Sequence, residues 1–214
     1  SSVIMLHIFA FRQVTGPIVK NELLLILVGI GTALLVNAYM PGMKKKILRI
    51  HTTIQHTMAD ILKELAAYIR DGRADWDGKE MLVLAEALKE ASALAVMDSE
   101  NRLRREHHPF LVYCESKKQQ YELLERMLTA ASRMDTGLEQ GRRIGNFMLE
   151  LAERVRAGEE IHTQAEKLRG IREYHKTLPM PTNRAEFENR EALFTLVNEL
   201  ELFLQKDQTF HGFA

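Results

Sequence analysis

Residues Leu23–Met40 form an uncharged, strongly apolar run, LLLILVGIGTALLVNAYM, followed at once by Pro41-Gly42-Met43-Lys44-Lys45-Lys46. A helix of that length rises about 27 Å, close to the hydrocarbon thickness of a bilayer. The run must therefore cross a membrane or be buried in a core. Lysines against one end mark that end as cytoplasmic, because cations are retained at the inner face. Lys44, Lys45, Lys46 and Arg49 meet no acid between Gly42 and Ala59. Such a patch suits anionic headgroups at roughly 1 kcal/mol per charge, and serves equally well as a plain stop-transfer flank. Gly29 and Ala33 place two small residues on one face, where a neighbouring helix can approach closely. The competing reading makes residues 3–40 a buried core hairpin of a soluble protein, since Gly29, Gly31, Thr32, Ala33 and Asn37 dilute the run.

Val3–Phe11 (VIMLHIFAF) is apolar but too short to span a bilayer, and it lacks the basic leader and cleavage site of a signal peptide. It reads as the end of a preceding membrane helix, with Arg12–Asn21 as a short outer loop. On this reading the chain is a fragment of something larger: 1–42 the end of a membrane domain, 43–206 a cytoplasmic domain, 207–214 a tail.

With 29 basic and 29 acidic side chains the formal net charge is zero, so no global field recruits nucleic acid. The single cysteine, Cys114, excludes an internal disulfide and a multi-cysteine zinc site. Beside Tyr113 and Phe110 it reads as a core thiol.

Past Met43 the sequence is helical in period almost throughout. Ile47, Ile50, Ile54, Ile61 and Leu65 form a heptad-like seam that closes near Ile69, and Asp71-Gly72 ends it. Asp77-x-x-Glu80 has capping-box spacing, with Trp76 and Met81 placed as a hydrophobic staple. That helix carries Met81, Leu84, Leu88, Ala91 and Ala95 to about Met97. A third runs from about Phe110 to Ala131. Thr136-x-x-Glu139 caps a fourth, with Leu138, Ile144, Met148, Leu151 and Val155 inward and Gly158 past its end. A fifth covers about His162–His175. After Pro179 and Pro181, Asn183-x-x-Glu186 opens a last helix carrying Phe187, Leu193, Phe194, Val197, Leu200 and Leu204. No stretch alternates as a strand does. The expected fold is all-α, an antiparallel bundle of about five to six helices preceded by a transmembrane helix.

Two segments, DWDGKEMLVLAEALKEASALAVMDSE from Asp75 and LPMPTNRAEFENREALFTLVNELELFL from Leu178, resemble the C-terminal domain of the bacterial aromatic acid exporter family. VIMLHIFAF and NELLLILVGIGTALLVNAYMP resemble the last part of that family's membrane domain. The most specific pieces are Asp98-Ser99-Glu100-Asn101 and Arg184-Ala185-Glu186-Phe187-Glu188-Asn189-Arg190. The resemblance implies an inner-membrane protein whose transmembrane helices form an export path for small aromatic acids, with a cytoplasmic helical domain attached. The earlier membrane helices of the family pattern are missing from this chain.

Asp98, Glu100 and Asn101 precede Arg102, Arg104, Arg105, His107 and His108, a cationic cluster able to hold a small carboxylate on bidentate guanidinium forks. The plain alternative is a solvated helix face. Arg184, Glu188, Asn189 and Arg190 either join such a site or tether the last helix to a neighbour such as the Asp98–Asn101 corner. Glu188 and Arg190, two apart, point in different directions and do not pair with each other. Glu159-x-x-His162 has di-iron spacing but lacks the second pair that such bundles need, so no metal and no other cofactor is expected. With no phosphate loop and no nucleophile elbow, an enzyme is not expected either.

The sequence thus points to an exporter-like membrane protein whose cytoplasmic domain senses ligand or regulates. Its expected partners are membrane lipid, the rest of the membrane domain, a small aromatic carboxylate and, through the Ile47–Ile69 seam, a second copy. The alternatives are a non-catalytic oligomerisation module and a soluble helical binding protein.

Overall fold

The structure, a computed structural model, describes residues 16–72, 75–101, 109–134 and 139–208. It is all-α: α1 (Gly16–Asp71), α2 (Lys79–Asn101), α3 (Pro109–Ala131), α4 (Glu139–Ala157), a 3-10 turn (His162–Gln164), α5 (Ala165–Lys176) and α6 (Arg184–Gln205). No strand occurs among the described residues. The chain divides into two units, with the boundary between Lys46 and Ile47.

In the first unit, residues 16–21 are already helical, so the outer loop expected over Arg12–Asn21 does not extend that far. Pro17 sits in the opening turn, where its missing N–H has no helical partner to lose. Leu23–Val28, Ile30 and Leu34 are 44–64% exposed, where the core-hairpin reading calls for burial. The Thr32 hydroxyl donates to the Val28 and Gly29 carbonyls (2.9 and 3.0 Å), so its polarity is satisfied within the helix. Among the described residues no helix is long and apolar enough to cross a membrane. The side chains of residues 35–41, which belong to the apolar run or adjoin it, lie outside that description.

The second unit is a helical bundle with its own core. Ile47, Ile54, Ile61, Leu62, Leu65 and Ile69 are buried along α1. This seam is covered within a single chain, so it does not present the face through which two copies would pair. Part of its cover is α4, which runs antiparallel: a Cβ on Gly141 would lie 3.0 Å from the Ile69 carbonyl oxygen, and one on Gly145 3.0 Å from that of Ala66. Lys63–Glu153 (2.6 Å) and Arg156–Asp60 continue the same pairing toward the other end. α3 and α6 are likewise antiparallel, joined by Gln120 to the Phe203 carbonyl (2.9 Å) and Arg126 to Glu199 (3.2 Å).

Helix ends follow local chemistry. The Gly72 N–H donates to Tyr68 O (2.9 Å), and Gly72 has φ +71°, an αL stop. After α4, Gly158 (φ +71°) donates to Val155 O and Glu159 to Arg154 O, the two bonds of a Schellman motif. Asn183 caps α6 by accepting from the Glu186 N–H (2.8 Å). Glu186 reaches back not to its cap residue but to the Thr182 N–H and hydroxyl (both 2.8 Å).

The expected box at Asp77–Glu80 does not form. Gly78 has φ +74° and α2 starts at Lys79, so Asp77 stands one residue too early. Its carboxylate accepts from the Lys79 N–H (3.2 Å), while Glu80 accepts from the Trp76 indole. Thr136 and Leu138 lie outside the described residues.

Candidate functional site

The chemistry of this unit collects in two places, a cationic cavity among α4, α5 and α6 and a buried polar knot where α6 ends against α3.

α5 is amphipathic. Leu168 is buried, and the basic positions Arg172, His175 and Lys176, three and four residues apart, share a stripe on the same helix. The stripe lines a cavity of about 140 Å³ together with Gln140 from the first turn of α4, Leu178 from the connecting loop, and Arg190, Leu193 and Phe194 from α6. Three formal cations, an imidazole and an amide thus share the cavity with three apolar side chains, and no carboxylate is among the described lining residues. That composition favours a small anion with an apolar body.

The cations are held in place from behind. Arg172 donates to Asn198 (2.7 Å) and Glu201 (2.6 Å), and its guanidinium lies 5.8 Å from the centre of the Phe194 ring. Arg190 donates through Nη1 to the Pro179 carbonyl and through Nη2 to Glu186. Lys176 reaches Glu173 (2.7 Å). Glu186 itself is held below the ordinary carboxylate range, chiefly by its bonds from Thr182 and then by Arg190.

Two nitrogens are left over. Arg190 Nε and His175 Nε2 are buried and have no hydrogen-bond partner among the described residues. An unmade bond of this kind costs about 1–3 kcal/mol, which a bound acceptor would recover. Burial first, then the charges of Arg143 and Arg190, pushes the His175 imidazole below its usual pKa. Arg143 lies over the Tyr174 ring at 3.8 Å and pairs with Glu139 (3.1 Å), fixing the start of α4 to the end of α5.

The second cluster is closed. Lys117 Nζ donates to Asp207 (2.8 Å) and Gln120 (2.8 Å), and the Ser116 hydroxyl donates to the Lys206 carbonyl. Asp207, expected in a tail, is instead drawn into the core edge, because Lys117 is buried there and needs a counter-charge. His51 packs on Tyr113 at 4.9 Å. The adjoining cavity is only about 30 Å³, too small for an organic acid. Cys114 is buried and its thiol is pushed up to about 12, mainly by desolvation, which makes it inert as a nucleophile. A shallower groove by Leu111, Val112 and Lys206 carries one cation and one acid and concentrates no charge.

Of the candidate site residues picked out in the sequence, Arg190 is the one among the described residues that lines the cationic cavity. Asp98 is buried near the end of α2, and Asn189 is buried on α6. The side chains of Glu100 and Asn101 lie outside the described residues, as do Arg102, Arg104, Arg105, His107 and His108 entirely. Arg184 and Glu188 pair with each other (2.7 Å) on the outer surface, and Arg190 pairs with Glu186. Both pairs are four residues apart on one helix, where side chains already meet. Lys44, Lys45, Lys46 and Arg49 are exposed. The cavity residues that were overlooked, Gln140, Arg172, His175 and Lys176, left one readable signal: the Arg172-x-x-His175-Lys176 stripe on an otherwise polar helix.

Comparison with known proteins agrees with the two-part organisation. Residues 44–208 match the family described as "Putative aromatic acid exporter C-terminal domain", and residues 1–40 match "Aromatic acid exporter family member 1". The uncharacterized protein YqjA of Bacillus subtilis (strain 168) is 34% identical over 212 residues, 99% of this chain and 66% of that relative, so the chain spans just under two thirds of its length. The crystal structure of a "putative membrane protein" from Clostridium difficile 630 superimposes with a TM-score of 0.63 at 21% identity, covering 76% of this chain and 95% of that one. It supports the helical fold. By the match over most of its length, this chain belongs to the aromatic acid exporter family.

Proposed function

We propose that the chain is the membrane-proximal and cytoplasmic part of an exporter of small aromatic carboxylic acids in a bacterial inner membrane. On this reading residues 23–40 cross the bilayer, residues 3–11 end a preceding membrane helix, and residues 43–206 form a cytoplasmic domain that senses the transported class of ligand. Family membership supports the membrane role, as do the exposed apolar side chains between Leu23 and Leu34 and the lysines after them. The observation that carries the sensing role is the cavity beside α5 and α6, where cationic donors stand next to an apolar wall of Leu178, Leu193 and Phe194.

Regulation requires that ligand bind two states of the exporter with different affinity. The cavity offers a route. Arg190, which lines it, also holds the Pro179 carbonyl and Glu186, so an anion that competes for its guanidinium changes how the loop before α6 is held. The reading assigns no catalytic step.

The test is efflux of preloaded benzoate from cells carrying the whole exporter, compared with the same protein lacking residues 47–208. A domain that senses ligand makes efflux rise more steeply with internal benzoate than carrier saturation alone, and its removal leaves the simple saturation curve. Identical efflux curves with and without the domain would sink the regulatory role.

A further inference from the structure

The two unpaired nitrogens, His175 Nε2 and Arg190 Nε, belong to side chains that line the same cavity from two different helices. Two of Arg190's nitrogens are already committed, Nη1 to the Pro179 carbonyl and Nη2 to Glu186, which fixes its guanidinium and leaves Nε as the nitrogen with no bond among the described residues. We propose that this cavity is a proton-linked carboxylate site: a small ring carboxylate accepts from Arg190 Nε–H and His175 Nε2–H, rests its ring against Leu193 and Phe194, and is bound with one proton taken up by His175. The proposal deepens the ligand-sensing reading and rests on it.

Size and charge both bear on the ligand. A cavity of about 140 Å³ matches the volume that holds one benzene ring in an apolar pocket, of order 150 Å³. The groups that face or adjoin His175 are mainly cationic. Arg143 comes from α4, backed by Glu139; Arg172 and Lys176 come from α5, beside the Tyr174 ring; Arg190 comes from α6, backed by Glu186. Burial first, then these cations, disfavour a positive charge on the imidazole. A carboxylate placed between His175 and Arg190 reverses that balance, because an adjacent opposite charge favours the protonated ring. A neutral amide of the same shape supplies no such charge. An acetate supplies the charge without the ring.

The experiment is calorimetric titration of benzoate into the full chain in detergent micelles between about pH 5.5 and 8, where an ordinary carboxylate near 4 stays ionised. One saturable site is expected, with acetate and benzamide binding more weakly. Benzoate affinity should rise as pH falls, by up to about tenfold per unit for one linked proton. His175→Gln keeps a donor but cannot take up the proton, so it should bind benzoate with a flat pH profile. Arg190→Lys keeps the charge and removes Nε–H, and should weaken benzoate at least about fivefold, the loss of a charge-assisted bond. Phe194→Ala leaves every bond of Arg190 in place and should weaken benzoate more than acetate, which guards against a loop disturbed by the Arg190 change. Benzoate binding that is flat in pH, or unaltered in all three variants, overturns this site while leaving the sensing reading intact. Absence of benzoate binding at every pH also overturns it, and the efflux comparison then decides the sensing reading separately.

Discussion

Lys117 and Asp207 meet at 2.8 Å across ninety residues of sequence, with side chains only 9% and 5% exposed. The pair joins α3 to the segment after α6, and Asp207 also accepts from the Ile161 N–H at 3.4 Å. Removing one partner strands the other charge, so Asp207→Leu should lower unfolding free energy by about 3–5 kcal/mol. The double change Lys117→Met with Asp207→Leu should lose much less, because two apolar side chains leave no charge uncompensated. Denaturant unfolding of the wild type, Lys117→Met, Asp207→Leu and the double variant measures the coupling; a double loss equal to the sum of the two single losses would show that the pair is uncoupled.

His51 gives stability an acid-side slope. Burial first, then the Lys117 charge, pushes its imidazole down to about 4, against 6.5 when free. The unfolded chain therefore binds the proton across pH 4–6.5 and the folded chain does not. Stability is complete above about 6.5 and falls as pH drops toward 4, by about 1–2 kcal/mol once solvent screening of this half-buried group is allowed for. His51→Gln should flatten that part of the stability–pH curve. An unchanged slope in the variant would place the acid sensitivity elsewhere.

Two helical glycines predict opposite signs. A Cβ on Gly145 meets the Ala66 carbonyl oxygen and Arg70 Cβ at 3.0 Å each, so Gly145→Ala forces α4 away from α1 and should cost about 1–3 kcal/mol. Gly170 on α5 has nothing within 4 Å, and Gly170→Ala should stabilise by up to about 1 kcal/mol through helix propensity alone. Thermal midpoints of the two variants should move in opposite directions.

The Asn183 cap is exposed and local, so its loss should be modest. Asn183→Ala should cost about 1 kcal/mol, and Asn183→Asp should retain nearly all of the stability because its carboxylate accepts the same Glu186 N–H. Equal loss in both variants would assign the effect to something other than the cap.

The sequence by itself determined the features that act over a few residues. Asp71-Gly72, Gly158 and Asn183 end or start helices by bonds within one turn, and the structure forms each of them. The core stripe of α4, Ile144, Met148, Leu151 and Val155, is buried as its period requires. The failure at Asp77 was also local, a register shift imposed by the left-handed backbone of Gly78. Only the tertiary structure decided which faces meet. Phe187 and Phe194, apolar residues of the last helix, are 61% and 50% exposed, while α6 buries Asn189, Leu193, Leu196, Leu200 and Phe203. Lys117, in a polar stretch that reads as surface, is buried because Asp207 arrives from the far end of the chain. The cationic cavity exists because Arg172 and His175 on α5 face Arg190 on α6. Caps and turns are bonds between near neighbours, written in consecutive residues. Burial and charge pairing across distant segments depend on how whole helices pack, and no single segment carries that information.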